Sequence, residues 1–321
     1  MAPALVGLAE IRAAAARIEG VALRTPLLRW DDTTWLKPES LQPIGAFKIR
    51  GADNKIASLT DAERARGVIT YSSGNHAQAV ARAARLLGCR AVIVMPDDAP
   101  RIKVDGVRRD GGEIVFTAPG SEERHRVAVE LAERNGYVMV EPYDDPEIIA
   151  GQGTAGLEIV EDLPDVTGVL VPVSGGGLSS GIATAVKELR PEARVWGVEP
   201  ELAADARESL ERGELVRWPA ELTNRTMADG LRTQSLGRLP FLQLRRYLDG
   251  IVTVGEAEIA DAMRQLASRA RLVVEPSGAA TTAAHLAGRV PAVGGEKRVI
   301  VVSGGNVDPD RFARILAGAN A

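Results

Sequence analysis

The chain has 321 residues, 45% hydrophobic and 26% charged, with a net charge of −4. It is long enough to bury two cores, and its evenly mixed charge excludes a nucleic-acid or anionic-membrane surface. Cys89 is the only cysteine, so no intrachain disulfide forms, which fits a reducing cytosol. Met1–Leu8 lacks the basic flank and apolar centre of a signal peptide, and no apolar run approaches a membrane span.

Short β-rich runs alternate with amphipathic stretches almost end to end. The first four strand-like runs are Val68–Thr70, Ala91–Met95, Glu113–Phe116 and Tyr137–Val140. Gly168–Val173, Val195–Val198 and Val299–Val302 follow. Each is bounded by turn residues, as buried parallel strands are. Helix-length patterns between them include Asn75–Leu87, Glu122–Arg134, Leu178–Leu189 and Ala257–Ala270. This alternation predicts open α/β sheets with right-handed crossovers. Four units fall between Gly67 and Asp144, enough for a small layer of their own. The expected division is therefore a small α/β domain over 67–144 and a discontinuous larger domain over 1–66 plus 145–321. A cleft between the two, at the C-terminal ends of strands, is the natural ligand site.

Four segments carry chemistry. Only six of the 39 basic residues are lysines, and Lys48 stands among small and apolar residues in Gly45-Ala46-Phe47-Lys48-Ile49-Arg50-Gly51. Burial there would leave its amine neutral often enough to attack an aldehyde; the alternative is a helix-surface lysine. Ser174-Gly175-Gly176-Gly177-Leu178 follows a strand and opens a helix, which aims backbone N–H groups at a phosphate. It is neither a Walker loop nor a Gly-x-Gly-x-x-Gly fingerprint. Ser72-Ser73-Gly74-Asn75-His76 has the same placement, and its side chains either cap the helix or hold a substrate carboxylate. His76 also reads as a structural histidine. Ser303-Gly304-Gly305-Asn306 ends the last strand and can present a hydroxyl to a ligand nitrogen. An amine and two anion-cradling loops are what a phosphorylated aldehyde such as pyridoxal phosphate requires.

Together, in this order, these segments resemble the fold-type II (tryptophan synthase β-like) pyridoxal phosphate enzymes. The serine/threonine dehydratase and serine racemase group is the nearest match, over about Ile11–Phe312. The resemblance implies two open α/β domains with the cofactor in the cleft. It implies α,β-elimination on L-threonine or L-serine to a 2-oxo acid and ammonia, with serine racemase and 3-hydroxyaspartate dehydratase as alternatives. It makes Lys48 the cofactor lysine and Cα base, with Phe47 beside the ring and Asn75 on the phenolic oxygen. Ser174, Gly175, Gly176, Gly177 and Leu178 would hold the phosphate, and Ser303 would face the ring nitrogen. A neutral hydroxyl there leaves a weaker electron sink, which suits elimination better than transamination. Ser72, Ser73, Gly74, Asn75 and His76 would form the substrate-carboxylate loop. Ser73 would also be the second acid/base, on the opposite ring face, that racemisation requires. Glu199, the Ala203 carbonyl and Asp205 would hold Mg²⁺ or Ca²⁺, which take hard oxygen ligands. Arg124 would pair a second carboxylate if it reaches the pocket; otherwise it is a solvated helix arginine. A cytoplasmic homodimer acting on a small amino acid is implied.

The chain departs from this pattern at Ile44 and Ala46, which replace two hydroxyl residues, and at Glu141, where histidine or proline is common. With the last helix close to Ala321, feedback inhibition through a C-terminal regulatory domain is not expected. A β-replacing synthase of cysteine-synthase type is disfavoured by the Ser73–His76 loop. A nicotinamide oxidoreductase would need the missing glycine fingerprint. A non-catalytic amino-acid-binding module would have no use for Lys48.

Overall fold

The computed structural model describes residues 4–318, apart from 73, 100, 119, 292–294 and 296. All seven predicted strands are present, within two residues of their expected ends. They belong to two sheets. The larger contains β1 (Leu28–Arg29), β2 (Thr34–Pro38), β7 (Gly168–Pro172), β8 (Arg194–Pro200), β9 (Gly250–Val254) and β10 (Arg298–Val302). Its order is β1-β2-β10-β7-β8-β9, parallel except for the β1–β2 hairpin. The smaller contains β3 (Val68–Tyr71), β4 (Ala91–Pro96), β5 (Glu113–Thr117) and β6 (Val138–Met139), all parallel, in the order β5-β4-β3-β6.

Period-two alternation sends the β-branched side chains of the larger sheet to two buried faces. Leu170, Val198, Ile300 and Val302 pack against the helices Glu256–Gln265 and Pro276–Leu286. Val169, Val171, Val195, Val299 and Val301 pack against Pro146–Asp162 and Gly177–Leu189. Asp145 caps the helix Pro146–Asp162 by accepting from the N–H groups of Glu147 and Ile148 at 2.8 and 3.2 Å, and Pro146 opens it. A Cβ on Gly151 would stand 2.5 Å from the Arg50 carbonyl oxygen. Only glycine lets this helix lie directly on the helix Lys48–Ala57. Among the described residues no helix is long and apolar enough to cross a membrane.

The strands absent from the sequence reading have physical reasons to be missed. β9 is a half-buried edge strand. β2 ends in Lys37-Pro38, a charge and a helix-and-sheet breaker. Lys37 is nevertheless fully buried, because its ammonium donates to Glu158 Oε2 at 2.6 Å and to the Thr25 carbonyl at 2.6 Å.

The same buried network holds Arg50, two residues beyond Lys48. The guanidinium donates to both oxygens of Glu39, at 2.7 and 2.8 Å, and to both oxygens of Glu158, at 2.6 and 2.9 Å. Thr25 donates to Glu39 at 2.7 Å. Burial alone would raise the Glu39 pKa, but Arg50 outweighs it and holds the carboxyl below its usual range. Removing one partner of such a pair strands the other charges out of water. Arg50→Met is therefore expected to lower the unfolding free energy by about 3–5 kcal/mol, seen as a lower midpoint in chemical denaturation. An unchanged midpoint would show that the network does not hold the fold.

Candidate active site

The lysine turn is pinned to the end of β10. Phe47 N–H donates to the Ser303 carbonyl at 3.1 Å, Gly305 N–H to the Gly45 carbonyl at 2.8 Å, and Asn306 Nδ2 to the Ile44 carbonyl at 2.8 Å. The helix Lys48–Ala57 then starts at Lys48 itself. This places the amine on a cavity of about 1160 Å³ lined by segments that follow β3, β4, β6, β7 and β10, at the C-terminal ends of both sheets. The lining includes Phe47, Lys48, Ser72, Gly74, Asn75, His76, Arg124, Ser174, Gly175, Gly176, Gly177, Leu178 and Ser303. Ser73 lies outside the described residues.

Lys48 has no acidic partner. Its Nζ donates to the Pro142 carbonyl at 2.6 Å and lies 5.1 Å from the centre of the Phe47 ring. Burial pulls the amine down from 10.5 to about 8, so a useful fraction is neutral near pH 7. Lys103 lines the same cavity under opposite conditions. Burial would lower it, but the charges of Asp229 and Glu275 prevail and raise it, and its ammonium bonds Asp229.

The glycine loop follows β7. Gly176 has φ +94°, a left-handed conformation suited to glycine, and initiates the helix Gly177–Leu189. The first N–H groups of that helix lack intrahelical acceptors and point out of its end. Ser174 shares a 2.7 Å hydroxyl–hydroxyl bond with Thr233. On the opposite sheet, Asn75 opens the helix Asn75–Leu86. Its Nδ2 donates to Glu275 Oε1 at 2.6 Å, and its Oδ1 accepts from Asn306 Nδ2 at 2.9 Å. His76 is buried and its Nε2 donates to the Val140 carbonyl at 3.0 Å. Burial and the Lys48 charge push it down to about 3, so the ring is neutral.

Arg124 faces the cavity rather than open solvent, and its Nε has no hydrogen-bond partner among the described residues. Glu275 and Tyr143 were not legible in the sequence. Glu275 stands at the N-cap of the helix Pro276–Leu286 without a side-chain capping bond; it is buried, with a pKa raised to about 7 chiefly by that burial. Tyr143 occupies the space over Gly175, where a Cβ would approach its ring to 2.3 Å. No pattern in the sequence marks that contact.

Glu199 and Asp205 do not line the cavity, and neither lies on a solvated loop. Glu199 is fully buried at the end of β8 and accepts from the N–H groups of Ala206 at 3.1 Å and Arg207 at 2.8 Å. Burial, then the nearby Asp205 carboxylate, raises its pKa well above the usual range. Asp205 is 1% exposed and its Oδ2 lacks a partner; burial raises it to about 7. Ala203 is buried beside them. Two buried carboxyls, one with an orphaned oxygen, suit a divalent cation. Among the described residues no cluster reaches three His, Cys, Asp or Glu side chains, so backbone oxygens or water would complete the shell.

Two α/β sheets facing a shared cavity, with a lysine of lowered pKa opposite a glycine-rich helix start, define a fold-type II pyridoxal phosphate enzyme. Residues 18–305 match the model of the family of pyridoxal-phosphate dependent enzymes, and the chain belongs to it. Its relatives include the L-threonine ammonia-lyase of Thermotoga maritima, 46% identical over 88% of this chain and 69% of that protein. The L-threo-3-hydroxyaspartate ammonia-lyase of Saccharomyces cerevisiae is 40% identical over 96% of each chain. The structure of maize serine racemase superposes with a TM-score of 0.91 at 38% identity, covering 98% of both chains. The cavity fits the cofactor: it combines a poised amine, an anion-holding helix start and hydroxyl and amide groups on one wall.

Competitive acetylation of the cofactor-free protein is expected to give Lys48 a labelling midpoint near pH 8. A midpoint near its ordinary value of 10.5 would place the amine in water.

Proposed function

We propose that the protein is a pyridoxal phosphate-dependent ammonia-lyase that removes the β-hydroxyl of L-threonine or L-serine and releases a 2-oxo acid and ammonia. The observation that carries this is Lys48, a half-buried amine without a counter-ion, between the Ser174–Gly177 loop and the Ser72–His76 loop. When bound, the cofactor supplies an electron sink for charge developing at the substrate's Cα. Lys48 would hold the cofactor and take the Cα proton, its lowered pKa matching a base that works near neutral pH. Ser174, Gly175, Gly176, Gly177 and Leu178 would hold the phosphate, with Phe47 beside the ring. Ser303 would meet the ring nitrogen and Asn75 the phenolic oxygen. The Ser72, Gly74, Asn75 and His76 backbone, at a helix N-terminus, would hold the substrate carboxylate.

Relatives named for racemase and hydroxyaspartate activities support two side readings. Ser73 would be a second acid/base for racemisation, and Arg124 would meet a second carboxylate. Glu199, Asp205 and the Ala203 carbonyl would bind Mg²⁺ or Ca²⁺. The proposed division is a small domain over 67–144 and a larger one over 1–66 plus 145–321, which the two sheets support. The proposed assembly is a cytoplasmic homodimer, supported by the family resemblance and the single cysteine.

The test is 2-oxo acid release from L-threonine, L-serine and 3-hydroxyaspartate, with and without Mg²⁺. Turnover of threonine or serine is expected, falling by at least about 10³-fold in Lys48→Ala because the base and the cofactor anchor are lost together. Full turnover by Lys48→Ala would overturn the mechanism. Ser73→Ala is expected to lower D-serine formation relative to 2-oxo acid release; an unchanged ratio removes Ser73 from the reaction.

A further inference from the structure

Glu141, the departure from the family pattern, lies on the cavity wall immediately before Pro142, whose carbonyl accepts from Lys48 Nζ. Its Oε2 accepts from the Tyr71 hydroxyl at 2.7 Å. Among the described residues, no other group hydrogen-bonds Glu141 and no cation forms an ion pair with it. Arg124, which also lines the cavity, feels the charge of Asp98 but forms no ion pair among the described residues. The cavity therefore presents a cation and an anion that do not neutralise each other. A ligand ending in a carboxylate gains Arg124 but meets Glu141. A ligand ending in a neutral hydroxylated carbon meets no like charge and can donate its hydroxyl to Glu141.

We propose that Glu141, steadied by Tyr71, is a specificity-determining residue that admits β-hydroxy amino acids with an uncharged side-chain end and rejects those with a second carboxylate. This rests on the ammonia-lyase reading, narrows its substrate class, and opposes the side reading in which Arg124 receives the second carboxylate of hydroxyaspartate. Rejection by like charge is an efficient route to specificity, because attraction alone discriminates weakly between similar ligands. The groups around Glu141 set the conditions under which it acts. Burial raises its pKa; the Tyr71 hydroxyl and then His125, whose ring packs edge-on at 4.8 Å from Tyr71, oppose that; Asp144 and Asp145 on its own loop reinforce it. The net shift is upward, so Glu141 gains its proton sooner than an ordinary carboxyl as the pH falls. The rejection is then full at alkaline pH and fades towards acid.

The experiment uses two ligands without an amine, which the cofactor cannot process. 3-Hydroxybutyrate is threonine lacking its amino group, and L-malate is 3-hydroxyaspartate lacking its own. Calorimetric binding to the holoenzyme at pH 8 is expected to favour 3-hydroxybutyrate. Glu141→Gln, which keeps the shape and an acceptor oxygen, is expected to tighten malate by about tenfold or more with little change for 3-hydroxybutyrate. Tyr71→Phe removes the donor that steadies the ionised carboxyl, so malate binding should recover at a higher pH than in the wild type. A pH response of malate binding that persists unchanged in Glu141→Gln would overturn the assignment of the pH dependence to Glu141. Equal malate affinity in wild type and Glu141→Gln at pH 8 would overturn the proposal. Failure of the ammonia-lyase reading is seen separately, as no 2-oxo acid from threonine or serine, while these binding measurements still decide the role of Glu141.

Discussion

The Arg50 guanidinium, closed on both sides by Glu39 and Glu158, is the contact on which the site depends. It ties three pieces of chain distant in sequence: the end of β2, the first turns of the lysine helix and the middle of the helix Pro146–Asp162. Lys37 and Thr25 complete it, so two cations and two anions share one buried volume with their hydrogen bonds directed. Lys48 is two residues away at the start of the same helix, and a small rotation there would swing its long side chain across the cavity. The hydrogen bonds from the Ser303–Asn306 segment fix the other side of the turn. Rigid support of this kind is what a group that must meet a reacting atom requires.

The two cavity lysines show how position becomes chemistry. Lys48 meets a carbonyl and an aromatic ring, and burial lowers its pKa. Lys103 meets Asp229 and the field of Glu275, and its pKa rises. One is suited to give and take a proton, the other to remain charged and join the helix Arg101–Arg109 to the segment Asp229–Leu231. The same logic separates the carboxyls. Glu39 stays ionised against Arg50, whereas burial drives the Glu199 and Asp205 carboxyls towards their protonated forms.

Features with a local signal were legible in the sequence. Val169–Val173 followed by Ser174–Gly177 shows a strand, a turn and a helix start within ten residues, and Val68–His76 repeats the pattern. Both loops line the cavity. Features that depend on pairing across the fold were not legible. β2 carries Lys37, whose burial depends on a partner, Glu158, 121 residues further on. Glu141 had no local rationale because its partner, Tyr71, is 70 residues earlier. Arg124, with Glu122, Glu123 and Arg126 around it, looked like a surface residue; only the fold shows that its turn of helix faces the cavity. Glu199 and Asp205 entered the sequence reading only as cation ligands implied by resemblance; that both are buried is visible only in the fold.

The most direct measurement is borohydride reduction of the cofactor-loaded protein followed by peptide mapping. The chain has six lysines: Lys37, Lys48, Lys55, Lys103, Lys187 and Lys297. The account predicts a pyridoxyl group on Lys48 alone, since each of the other five is held in an ion pair with a carboxylate. A label on any of those five, or none at all, would contradict it.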